Sequence, residues 1–160
     1  MTTHTNETTF TTPTPTDVVA VRTFDAPRDL VFAAHTEARH IRQWLLGPDG
    51  WTMPICEIDL RVGGAWRYGW ANPDDGRAFE MSGVYLEVEE PTRIVFTERF
   101  EDNPESVNTI DLVEEGGRTT LTMTMRYASE EVRDMVLATG MTDGARVSHD
   151  RLAAMLPSFA

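Results

Sequence analysis

Between Trp51 and Tyr127, apolar and polar residues alternate in short runs, and Gly, Pro, Asn and Asp punctuate them at regular spacing. That pattern predicts an antiparallel meander. The runs are Pro54–Leu60, Ala65–Ala71, Ala78–Val88, Arg93–Phe100, Ser106–Val113 and Thr119–Tyr127, with Asp17–Phe24 as an earlier strand rich in β-branched residues. Side chains alternate across a strand. Ala65–Ala71 therefore puts Trp66, Tyr68 and Trp70 on one face and Arg67 and Gly69 on the other. In Thr119–Tyr127, Leu121, Met123 and Met125 point inward while Thr120, Thr122, Thr124 and Arg126 point outward. Gly83 inside a strand predicts a bulge or a close backbone approach. Glu98 and Asp111 fall on inward-leaning parity, as buried acids or as edge residues.

Helical spacing replaces alternation in two regions. After Pro27, Arg28–Ala34 presents Leu30, Val31 and Ala34. Thr36 can cap a second short helix carrying Ile41, Trp44 and Leu45, ended by Gly47-Pro48. Near the C-terminus, Ser129 can cap a helix with Glu130 and Glu131 in its first turn, where the helix dipole favours negative charge. Val132, Met135, Val136 and Thr139 share one face there; after Gly140 the stripe resumes as Met141, Ala145, Ser148, Leu152, Met155 and Leu156. At about 100° per residue the two stripes sit nearly half a turn apart, so one straight helix cannot bury both. A break at Gly140 is predicted, then a main helix from about Thr142 to Leu156, stopped by Pro157. An apolar helix after many strands needs a sheet to cover. The pattern is α+β: about six or seven antiparallel strands, two short helices after the first strand, and a C-terminal helix.

Composition narrows the function classes. A formal net charge of −12 argues against nucleic-acid or anionic-membrane partners, which need basic patches. Cys56 is the sole cysteine, which fits a reducing, cytoplasmic setting. Residues 1–16 are a Thr/Pro-rich stretch without the basic and apolar regions of a signal peptide, expected to be a mobile or weakly docked tail. Residues 17–160 are expected to form a single domain. His35 and His40 are five apart rather than four, HExxH is absent, and there is no GxSxG or Walker A motif. The expectation is therefore no metal and no cofactor. Cys56 reads as a small core hydrophobe, Asn72–Gly76 as a hairpin turn, and Arg61 as an ion-pair partner for Asp59.

Trp44, Trp66, Tyr68, Trp70, Phe79, Met81, Phe96, Met123 and Met125 form an aromatic and Met-rich set. Pockets for small molecules are lined by such side chains, with few polar anchors; the plain alternative is that they fill a core. On the main helix, His149 lies on the flank of the stripe beside Ala145 and Leu152. Facing a cavity, it could hydrogen-bond a ligand or serve as an acid or base; the alternative is an exposed position at the helix edge.

The order of elements is that of the helix-grip fold. FDAPRDLVFAAHTEARHIRQW (Phe24 to Trp44), DLRVGGAWRY (Asp59 to Tyr68), GVYLEVEEPTRIVFTERF (Gly83 to Phe100) and TGMTDGARVSHDRLAAML (Thr139 to Leu156) resemble blocks of the activator of Hsp90 ATPase homologue 1-like (AHSA1) domain of the START/Bet v 1-like superfamily, also called SRPBCC or polyketide cyclase-like. The likeness spans Val18 to Leu156. It implies a curved sheet wrapped around the terminal helix with a hydrophobic cavity between them, lined by the aromatic and Met-rich set together with Met141, Ala145, His149 and Leu152. Such domains often carry a bulky aromatic after Gly144, where this chain has Ala145, and an apolar or aromatic residue where it has His149. The implied function is binding of an apolar small molecule such as a lipid, polyketide or aromatic metabolite, ahead of catalysis. The alternatives are a cyclase/dehydratase using His149 or a buried acid, and a chaperone-associated module of the Hsp90 type. A homodimer enters only by analogy with such domains.

Overall fold

The computed structural model describes residues 6–160. The chain runs β1 (Thr9–Thr11), β2 (Asp17–Phe24), α1 (Arg28–Thr36), α2 (Ala38–Trp44), β3 (Thr52–Ile58), β4 (Ala65–Ala71), β5 (Ala78–Glu89), β6 (Arg93–Phe100), β7 (Ser106–Glu115), β8 (Arg118–Arg126), α3 (Glu130–Ala138) and α4 (Met141–Phe159). All strands join one antiparallel sheet in the order β1-β2-β8-β7-β6-β5-β4-β3. The helix pair α1–α2 carries the chain from β2 towards the far edge at β3. The meander then returns strand by strand until β8 pairs with β2, Ala20 opposite Met123. This is the curved antiparallel sheet and terminal helix of the helix-grip fold.

Local chemistry sets most of these boundaries. Glu115 pairs with Arg118, and the two residues between them, Gly116 and Gly117, have φ of 60° and 78°. A two-residue hairpin whose twist matches its strands needs that left-handed pair. Ser129 caps α3, its Oγ accepting from Val132 N–H at 3.1 Å. Gly140, at φ 81°, breaks the chain between α3 and α4. The two stripes thereby reach different neighbours. Val132, Val136 and Leu137 pack on Val18, Ala20, Met125 and Tyr127, whereas Leu152 and Leu156 enter the main core with Trp44, Trp66, Ile94, Ile110, Leu112 and Leu121.

Several expectations are corrected. The sheet has eight strands rather than six or seven because Thr9–Thr11, inside the expected tail, pairs with β2 through Thr9–Val21, Phe10–Ala20 and Thr11–Val19. Thr8 is buried, and the Arg146 guanidinium lies 5.0 Å from the Phe10 ring centre. The expectation for residues 1–5 lies outside the described residues. Thr36 ends α1, donating its hydroxyl to Phe32 O at 2.9 Å; Glu37 takes the capping position of α2 without a side-chain bond. Pro157 lies within α4, which continues to Phe159, because a proline in the last turn removes only one ladder bond. Asp111 points outward, where it accepts from Arg93 Nη1 at 3.0 Å.

At Gly83 the close-approach reading holds. Trp66 of β4 sits opposite Gly83 of β5 and its indole N–H donates to Thr97 O of β6 at 3.1 Å. A Cβ on Gly83 would fall well inside contact distance of the Thr97 carbonyl and of the indole nitrogen. The bulge comes later, where the β5–β6 register shifts between Tyr85 and Glu87.

Gly83→Ala is expected to cost at least about 2 kcal/mol in urea denaturation, since Thr97 O is backbone and cannot step aside. Gly144→Ala, which meets only Pro48 at 4.0 Å on an ordinary helical backbone, should instead gain about 0.5 kcal/mol.

Candidate functional site

The register places Trp66, Tyr68, Trp70, Phe79, Met81, Tyr85, Phe96, Glu98, Asn108, Met123 and Met125 on the face that curves towards α4. Seven aromatic rings form a continuous ladder across β4, β5 and β6. Phe100 meets Phe79 at 5.4 Å, Phe79 stacks on Trp70 at 4.9 Å, and Tyr68 bridges Trp70 at 5.9 Å and Trp66 at 4.7 Å. Phe96 then meets Trp66 at 5.7 Å and Tyr85 at 6.4 Å. Edge-to-face and offset contacts in this range each add about 0.5–1.5 kcal/mol beyond area burial.

Helix cover over this face is uneven. Ser148, His149, Leu152 and Leu156 are the buried residues of α4, and α3 has none. Trp66 and Leu152 are fully packed, whereas Tyr68, Phe79, Met81, Phe96, Glu98 and Met123 keep part of their surface open. The inner face is thus fully packed near α4 and less completely covered along β4–β6, where part-buried side chains lie between the buried Trp66, Trp70 and Tyr85. Hollows of about 290 Å³ at the ends of β3–β5 and about 240 Å³ on the outer face of β6–β8 lie apart from the packed interior beneath α4.

The expected lining residues do not all converge. Tyr68, Met81, Phe96 and Met123 flank the main core; Trp70 and Phe79 belong to a cluster with Ile41, Met53 and Cys56; Met125 and Met141 sit with Val18 and Tyr127. Cys56 is buried there as a free thiol raised by burial. Ala145 is part-buried. Trp44 is buried as a tie between elements, its indole N–H donating to Ala34 O at 2.8 Å. Met125 accepts a 3.7 Å hydrogen bond from the Tyr127 hydroxyl.

His149 is buried rather than at an exposed helix edge. Its ring meets Phe24 at 5.7 Å and Trp44 at 6.1 Å, and its Nδ1 shares a 2.8 Å hydrogen bond with Thr8 Oγ1. Burial, with His35 and Arg22 nearby, pushes its pKa down to about 3. It is a neutral tie to the N-terminal strand and does not titrate near pH 7. Asp150 instead pairs with the buried Arg22.

The polar groups of the inner face are elsewhere. Asn108 is fully buried; its Oδ1 accepts from Ser106 Oγ at 3.2 Å, and among the described residues its Nδ2 has no partner at full hydrogen-bond geometry. The Glu98 carboxyl stands beside it. Burial raises the Glu98 pKa and the Asn108 amide draws it partly back. Tyr68, Tyr85 and Tyr127 are all held protonated, chiefly by burial. Sequence parity had singled out Glu98 but neither Asn108 nor Tyr85. The signal for Asn108 was its place in the alternating set Ser106, Asn108, Ile110, Leu112 of β7. Among the described residues no group of three or more His, Cys, Asp or Glu side chains could hold a metal ion, and no helix is long and apolar enough to cross a membrane.

Comparison with known proteins places this geometry. Residues 25–157 match the family described as "Activator of Hsp90 ATPase homolog 1-like protein". A Rhodobacter sphaeroides protein of known structure is 28% identical with a TM-score of 0.88, covering 96% of this chain and 100% of its own. A Mycobacterium smegmatis protein is 27% identical with a TM-score of 0.85, covering 96% and 99%. An "AHSA1-like protein" from Aeromonas hydrophila, 20% identical with a TM-score of 0.70 and covering 89% and 95%, shares the fold. No match was found among curated proteins.

His149 carries a pH signature. Below pH 6.5 the unfolded imidazole takes up a proton that the folded one refuses until about pH 3, so stability falls as pH falls through that window. Between pH 7 and pH 5 this residue should cost about 2 kcal/mol. Urea melts at the two values should show that loss, and His149→Gln should show correspondingly less of it.

Proposed function

Starting from the activator of Hsp90 ATPase homologue 1-like family, to which this chain belongs, we propose that the protein binds an apolar small molecule on the inner face of its sheet, along β4–β6 beneath the terminal helix. Membership supports either a ligand-binding module or one associated with an Hsp90-type chaperone. The observation that favours the first is the open stretch of inner face. Phe79, Met81, Phe96 and Met123 point towards the helix side, yet they are only part-buried.

Burying apolar ligand surface there is worth roughly 25 cal/mol per Å² before the cost of association. Aromatic rings held by one another supply a rigid platform, and Met81 and Met123 supply adaptable walls. His149, tied to Thr8 and held neutral, supports the wall as a structural residue in this reading rather than as an acid or base. Binding of this kind requires no cofactor.

Titration of the protein with N-phenyl-1-naphthylamine, a neutral fluorophore that brightens in apolar surroundings, tests the site. Wild type is expected to enhance and blue-shift its emission saturably. Met81→Trp, which fills the open stretch, should weaken binding tenfold or more. Thr124→Trp, on the outer face, should leave it unchanged. Equal binding by wild type and Met81→Trp would exclude this face as the site.

A further inference from the structure

On the inner face of β6 and β7 a carboxyl and a carboxamide interrupt the apolar and aromatic lining. Glu98 of β6 pairs with Ser106 of β7, and Phe96 pairs with Asn108, so Glu98 and Asn108 stand diagonally on the same face of adjacent strands. Asn108 lies opposite Met125 on the other side. Its side chain is wholly buried and one end is fixed by Ser106; among the described residues its Nδ2 has no partner at full hydrogen-bond geometry, and the Glu98 carboxyl is the acceptor it leans on. A buried donor left without a full hydrogen bond costs up to about 1–3 kcal/mol, and a fold that keeps one either wastes that energy or recovers it when something binds.

Glu98 completes the pattern. The residue is part-buried, and among the described residues its carboxyl has no arginine or histidine partner; burial and the Asn108 amide are what act on it. Its neighbours are the amide of Asn108 and the protonated phenols of Tyr68 and Tyr127, on which its charge bears. An acceptor and a donor therefore lie side by side in an aromatic bed, close enough to act on one another yet short of full hydrogen-bond geometry.

We propose that Glu98 and Asn108 form a two-point hydrogen-bonding anchor that selects, among apolar ligands, those carrying an alcohol or phenol hydroxyl; the assignment rests on the inner-face reading above. The ligand O–H donates to the Glu98 carboxylate while its oxygen accepts from Asn108 Nδ2. One hydroxyl is donor and acceptor in a single atom and satisfies both groups at once. A ketone would satisfy Asn108 and leave Glu98 unpaired. An ammonium would satisfy Glu98 and turn its hydrogens on Nδ2. A carboxylate would meet like charge in a poorly solvated site. A purely apolar ligand would bury both groups unpaired, which is the strongest basis for discrimination between otherwise similar molecules.

A matched pair of probes tests this: 2-naphthol and 2-methylnaphthalene, equal in shape and differing by hydroxyl against methyl. Quenching of tryptophan fluorescence is expected to show 2-naphthol binding at least tenfold more tightly to wild type. In Asn108→Leu the preference should fall at least threefold, and in Glu98→Gln/Asn108→Leu it should vanish while 2-methylnaphthalene binds as well as before or better. Equal binding of the two probes to wild type would overturn the anchor and leave the apolar site standing. Failure of both to bind would overturn the apolar site and the anchor with it. A preference undiminished in folded Asn108→Leu and Glu98→Gln, each checked by its melting transition, would also overturn the assignment.

Discussion

The absence of a side chain at Gly83 lets Trp66 of β4 lay its indole across β5 and donate to a carbonyl of β6. One hydrogen bond thus ties three successive strands. The fixed indole orients Tyr68 on one side and Phe96 on the other, and the ladder from Phe100 to Tyr85 propagates from there. A sheet that curves so strongly has to bring large side chains together on its inner side. Anchoring the central ring to backbone rather than to another side chain gives that packing a single arrangement.

The second constraint is cover. Eight strands present more inner surface than α4 can bury with Leu152, Leu156 and their neighbours, and α3 spends its apolar stripe on Val18, Ala20, Met125 and Tyr127. What is left over is the β4–β6 stretch. On β6 and the adjoining β7 it carries a carboxyl and a carboxamide, Glu98 and Asn108, side by side. Asn108 is a polar group held inside an otherwise apolar neighbourhood of Ile110, Met123 and Met125, tied down at one end by Ser106.

Much of this was legible in the chain. Alternation in Thr119–Tyr127 assigned Leu121, Met123 and Met125 to the inner face. The half-turn offset between two apolar stripes located the break at Gly140, and Ser129 announced the helix it caps. These signals are local, written in spacing and in the few residues that can cap or reverse a chain. What escaped depends on partners distant in sequence. Thr9–Thr11 has no apolar periodicity and becomes a strand only because β2 offers an unpaired edge. Asp111 looks inward by counting, yet Arg93 on the neighbouring strand holds it outside. His149 is buried by Thr8, which is 141 residues away. Asn108 meets the Glu98 carboxyl only because β6 and β7 pair in a register that sets Phe96 opposite Asn108.

The short strand β1 has a consequence for how the molecule behaves in a crowd of its own kind. An open sheet ends in two rows of unpaired backbone groups, and such rows recruit further strands, the first step towards fibrils. Here one margin is a three-residue strand, too brief to template a full-length addition. The other margin, β3, carries Pro54, which has no N–H to offer, and a register irregularity between Thr52 and Ile55. Both margins are thereby poor seeds, and a chain rich in aromatic β-strands gains protection against ordered aggregation from a segment that adds almost nothing to its core.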